Sequence, residues 1–150
     1  MNSSSTAMDD NRGALVAQSA VLANALKRQT GRDAIPVRSR FVRELGNPIG
    51  KVANTPLKNL VRRGDRDGIT IRLYLGLLWI STAPPYDSTV SAERWAHLLA
   101  LDLKTNYRRR VYEAFQRLEN EKLIKVKRQP GAVSTVVLLD EGGKGVAYKA

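Results

Sequence analysis

The stretch Val111-Tyr-Glu-Ala-Phe-Gln-Arg-Leu-Glu-Asn-Glu-Lys-Leu-Ile124, continued by Lys125-Val-Lys-Arg128, decides how the rest of this chain is read. Its first part has a helical period: with Tyr107 before them, Val111, Ala114, Phe115 and Leu118 share one face. After Leu123 the period drops to two. Ile124 and Val126 alternate with Lys125 and Lys127, the pattern of a strand buried on one side. The spacing predicts a helix from about Thr105 to Lys122 running directly into a cationic strand. Pro130-Gly131 then supplies a turn with a residue free to take positive φ, and Val133 to Leu139 supply a returning strand.

Upstream, Ile69 to Ile80 is apolar nearly all round, as expected of a buried helix, with a strand as the alternative at its start. Ala83-Pro84-Pro85 ends it. Asp87 to Val90 has the composition of a short strand. Ser91 is a good N-cap for a second helix, in which Trp95, Leu98 and Leu99 fall at i, i+3 and i+4. The link from Leu101 to Thr105 is long for a helix-turn-helix unless the next helix starts at Asp102, another capping residue. Trp79 and Trp95 are expected in the core.

Farther out the signal thins. Residues 1–11 are polar and expected to be disordered. Arg12 to Gln29 is helix-compatible, and Leu15, Leu22 and Leu26 form a stripe suited either to the main domain or to a second copy. Prolines and glycines cut residues 31–67 into short pieces, in which Phe41-Val42 and Pro56 to Val61 are the candidate helical turns. Residues 142–150 read as a glycine-rich tail. The expected organisation is a tail over 1–11, a basic helical or irregular arm over 12–67, a domain over 68–141 and a tail over 142–150.

With 25 Lys and Arg against 14 Asp and Glu, the 150-residue chain carries a net charge of +11. The excess is concentrated. Val37 to Arg66 has 8 basic and 2 acidic residues, Lys104 to Arg128 has 9 and 3, and the remainder is close to neutral. Two basic blocks on a neutral frame suit a polyanionic partner, nucleic acid before membrane. The apolar runs are far shorter than the roughly 20 residues of a membrane helix, and a cytoplasmic, nucleoid-associated location is expected. The chain has no cysteine and a single histidine, His97, so neither a metal site nor a cofactor is expected. No P-loop or dinucleotide glycine motif and no recognisable catalytic grouping occurs, and the chain is not expected to be an enzyme.

The order helix, short strand, helix, turn, helix, strand, turn, strand resembles the winged helix-turn-helix superfamily of bacterial, plasmid and phage regulators. Arg117-Leu-Glu-Asn-Glu-Lys-Leu-Ile124 is similar to the "RLEEEGLI"-like phrase common where the recognition helix of such regulators passes into the first wing strand. The resemblance covers about half the chain, Gly68 to Glu141. It implies a mainly α fold with a small antiparallel β wing, following a basic N-terminal helical arm.

On that layout the third helix enters the major groove with its N-terminal outward residues at base edges. Arg109 is the candidate for guanine and Gln116 for adenine. Glu113 either accepts from cytosine or pairs with Arg109 or Arg117 along the helix. Tyr112 points outward or rests on the wing. Arg108 and Arg110 flank this surface as phosphate contacts, joined by Thr105 and Asn106 at the helix start. Lys125, Lys127 and Arg128 lie on the wing, toward the backbone or minor groove. The expected function is sequence-specific binding of double-stranded DNA by a transcriptional regulator or repressor, dimeric through Leu15, Leu22 and Leu26. A plasmid replication or partition protein is the alternative with the same domain, and a protein-interaction adaptor the alternative of another class.

Overall fold

The computed structural model describes residues 3–42, 55–61, 68–104 and 106–149, with side chains 3–11 and 61 left aside. The protein is mainly helical with one small antiparallel sheet. Its elements are α1 (Ser3–Thr30), α2 (Ser39–Val42), α3 (Pro56–Val61), α4 (Ile69–Ile80), β1 (Asp87–Thr89), α5 (Ala92–Leu98), α6 (Tyr107–Asn120), β2 (Ile124–Lys127) and β3 (Thr135–Leu138).

Helix α4 is the hub. Leu73, Tyr74, Leu77 and Leu78 are buried on it, as its apolar composition requires. Gly68, at its N-cap, takes a left-handed φ of 64°, which glycine adopts without steric cost. Helix α5 starts where Ser91 accepts a hydrogen bond from the Arg94 amide at 3.2 Å. Trp95 on α5 is the largest fully buried side chain. It meets Phe115 of α6 edge-on at a centroid distance of 6.4 Å, while its ring approaches Gly76 of α4 so closely that a Cβ there would lie 2.7 Å from it.

Helices α5 and α6 end in the same way. After α5, the Leu101 amide donates to the Ala96 carbonyl (2.8 Å) and the Ala100 amide to that of His97 (3.2 Å). After α6, Leu123 donates to Leu118 (3.0 Å) and Lys122 to Glu119 (2.9 Å). Both are Schellman closures, and both place a non-glycine residue, Ala100 or Lys122, at positive φ. The residue that follows, Leu101 or Leu123, is buried and seals the turn.

The sheet order is β1-β3-β2, all antiparallel, with Ile124 opposite Leu138, Val126 opposite Val136 and Asp87 opposite Val137. Ile124, Val136 and Leu138 face the core. The Gln129–Ala132 turn closes with a 3.2 Å bond from the Ala132 amide to the Gln129 carbonyl, and Gly131 takes its positive φ of 71°.

Three expectations change outside this core. Helix α1 begins at Ser3 rather than Arg12, absorbing most of the segment expected to be disordered; no proline interrupts residues 3–30. Of the expected tail over 142–150, residues 142–149 are described and do not hang free. Leu139 bridges Ala147, and Tyr148 is buried edge-on against Tyr86 at 5.1 Å, with the reversal made by Gly143 and Gly145 at positive φ. The stripe from which dimerisation was expected is turned, at Leu22 and Leu26, toward this same chain. Ser19 on that face donates to the Leu98 carbonyl at 2.6 Å, and Leu22 and Leu26 line a crevice against Trp95 and Leu98.

The described parts of the arm join the core. Phe41 stacks on Tyr74 at 4.8 Å, and Leu60 is buried. Arg32 donates to the carbonyls of Leu78, Trp79 and Thr82 at 3.0–3.4 Å, closing the C-terminal end of α4 with a cation.

Candidate nucleic-acid interface

Helix α6 has one wholly apolar side. Val111, Ala114 and Leu118 are buried to 1% exposure or less. The helical period therefore turns Arg108, Arg109, Tyr112, Glu113, Gln116 and Asn120 outward, and all six are exposed. Asn106 is exposed at the N-cap and makes no side-chain cap bond. Arg110 is half-buried and already has a partner, which weakens its expected role as a freely placed phosphate contact. Thr105 lies outside the described residues, as does most of the first basic block, residues 43–54 and 62–67. Helix α6 begins at Tyr107. Asp102 does not start it and instead closes a local turn, accepting from the Lys104 amide at 2.9 Å.

The outward side chains are organised among themselves. Arg109 Nε lies 2.9 Å from Glu113 Oε1, so the i,i+4 pairing of Glu113 with Arg109 is formed. Arg108 donates to the Tyr107 hydroxyl at 3.0 Å, and Gln116 donates to that of Tyr112 at 3.2 Å. Tyr112 is half exposed, with the Arg128 guanidinium 5.8 Å from its ring centroid. Both alternatives for Tyr112 are thus partly realised: its hydroxyl lies along α6 and its ring borders the wing.

The wing is tied to α6 by Glu119, a residue that pattern reading did not single out. Glu119 Oε1 holds Arg128 at 2.8 Å, and its Oε2 accepts from the Val126 amide at 3.4 Å. The hydrogen bond that Arg128 donates to Glu119 raises the Arg128 pKa above the ordinary arginine value, so the group stays charged at any working pH. Lys125 and Lys127 are exposed on the outer face of the edge strand β2. Arg108, Arg109, Tyr112, Gln116, Lys125, Lys127 and Arg128 thus occupy one helix face and the adjoining wing. The signal for Glu119 was present in the sequence, as an acidic residue in the last turn of the helix, nine residues before Arg128.

The first basic block behaves differently where it is described. Arg38 faces Asp140 at 3.5 Å and Glu141 at 3.4 Å, lies over the Tyr148 ring at 3.9 Å and donates to the Lys149 carbonyl. Arg40 faces Asp140 at 3.6 Å. These two cations hold the C-terminal segment to the arm and are compensated within the chain. His97 pairs weakly with Glu93 at 3.9 Å on α5. Among the described residues no cluster of His, Asp and Glu could hold a metal ion, and no helix is long and apolar enough to cross a membrane.

Compared with known proteins, the chain matches no family model, no curated sequence and no solved structure.

Proposed function

We propose that residues 68–141 form a winged helix-turn-helix domain that binds duplex DNA in a sequence-specific manner, as a transcriptional regulator does. The observation that carries the reading is the exposed row on α6 joined to a cationic wing by Glu119. A helix is the right width for the major groove, and the wing places Lys125, Lys127 and Arg128 beside it, within reach of the flanking backbone. In this reading α6 supplies base contacts through Arg109 and Gln116. Arg108 and the wing cations neutralise phosphates.

The test is selection of bound fragments from randomised duplex DNA, followed by affinity measurements across salt concentrations. With roughly six phosphate contacts, log affinity falls against log salt with a slope near about −5. Arg109→Ala weakens the selected site by about 1–3 kcal/mol and relaxes selectivity at one base pair. Absence of any enriched motif, or a salt-insensitive affinity, refutes the proposal. An interaction with an acidic protein and no shift of DNA would point to an adaptor instead.

A further inference from the structure

Between the second half of α1, the end of α4, strand β1 and α5 lies a cleft of about 320 Å³ that the DNA-binding reading does not use. Its volume is in the range of small-molecule sites, which run from roughly 300 to 1,000 Å³. The floor is apolar, made by Leu22, Leu26, Ile80, Trp95 and Leu98. Polar groups stand at the walls. Arg94 lines the cleft, is exposed, and has no carboxylate partner among the described residues. Ser88 also lines it, and its hydroxyl is buried with no hydrogen-bond partner among the described residues. An apolar body laid against Leu22, Leu26 and Leu98 gains dispersion contacts and leaves water.

We infer that this cleft binds a small carboxylic acid with an apolar, ring-sized body. The body lies on Leu22, Leu26 and Trp95, and the carboxylate meets the Arg94 guanidinium, whose planar donors suit it. The site uses no residue of the proposed DNA surface, and its test requires no DNA, so either reading can fail without the other.

The probe is 3-phenylpropanoate, titrated into the full chain with calorimetry and tryptophan fluorescence as readouts. Saturable one-to-one binding with a dissociation constant at or below about 1 mM is expected. Arg94→Gln, an exposed substitution, weakens it about tenfold while leaving the circular dichroism spectrum unchanged. The neutral 3-phenylpropanamide binds about tenfold more weakly than the acid to the wild type, and Arg94→Gln leaves its affinity unchanged. Leu22→Phe, which narrows the floor, weakens acid and amide alike. No saturable binding of the acid by the wild type overturns the inference. So does equal binding by wild type and Arg94→Gln, or an amide that binds as well as the acid.

Discussion

Replacing Lys122 by glycine should stabilise the protein relative to replacing it by alanine, by about 1 kcal/mol. Lys122 holds φ 55° at the Schellman closure of α6. A side chain there crowds its own carbonyl, at a cost of roughly 1–2 kcal/mol that glycine does not bear. Against this, glycine loses more backbone freedom on folding, about 0.5–1 kcal/mol. The net gain over alanine is therefore near the lower end. Either substitution also removes a cation close to the helix C-terminus, worth about 0.3 kcal/mol at an exposed position. That loss cancels in the glycine–alanine comparison, so Lys122→Gly exceeds Lys122→Ala by the full difference but exceeds wild type by less. Chemical denaturation of the three proteins reads the order directly: glycine, then wild type, then alanine, with unchanged m-values. An alanine variant as stable as the glycine variant would refute the reasoning, because the left-handed conformation would then carry no penalty at this turn.

Gly76→Ala should destabilise the fold by about 1–2 kcal/mol despite its better helix propensity, because its Cβ falls 2.7 Å from the buried Trp95 ring. In a Trp95→Phe background, which removes the ring edge in question, the same substitution should cost less, and a thermal-melt double-mutant cycle measures the difference. Tyr74→Phe should be neutral or stabilising by up to about 1 kcal/mol, because the Tyr74 hydroxyl is buried without a partner among the described residues. Burial raises the Tyr74 pKa above the ordinary tyrosine value. The unfolded chain therefore loses its phenol proton first, and wild-type stability, undiminished below about pH 10, falls as pH rises beyond it. Urea midpoints across that range should fall less steeply for Tyr74→Phe. Glu113→Gln frees Arg109 from an exposed i,i+4 pair worth at most about 0.5 kcal/mol before screening. It should raise DNA affinity a few-fold on all sequences; a selective loss at one base pair would mean that Glu113 reads a cytosine.

The parts of the fold that were legible are those whose partners lie close in sequence. The bounds of α4, the Ser91 cap and the outward row on α6 follow from periodicity and capping chemistry within a dozen residues. The closure of α6 itself was not legible, since Lys122 takes positive φ without being a glycine. What else stayed illegible is long-range. Nothing local to Arg38 indicates that Asp140 and Glu141, about a hundred residues later, will compensate it. Nothing in Gly142 to Lys149 indicates that Tyr148 will find Tyr86. The Leu15–Leu26 stripe was visible as a stripe, but amphipathicity states that a face must be covered and not what covers it. Glu119 was not singled out because its partners, Val126 and Arg128, lie beyond the helix that carries it.

These long-range contacts change how the basic composition should be weighed. A net charge of +11 invites every cation into the binding footprint. Yet Arg32 closes α4, Arg38 and Arg40 meet carboxylates, and Arg109 and Arg128 are paired on the surface. The pairs differ in what releasing them costs. Arg38 faces a Glu141 side chain that is 1% exposed, so removing the guanidinium strands a buried charge. Arg109 and Glu113 are 74% and 54% exposed, and water replaces either partner at little cost. A phosphate or a guanine edge can therefore compete for Arg109 but not for Arg38. The usable positive surface is accordingly smaller than the composition suggests, and within the described residues it centres on α6 and the wing.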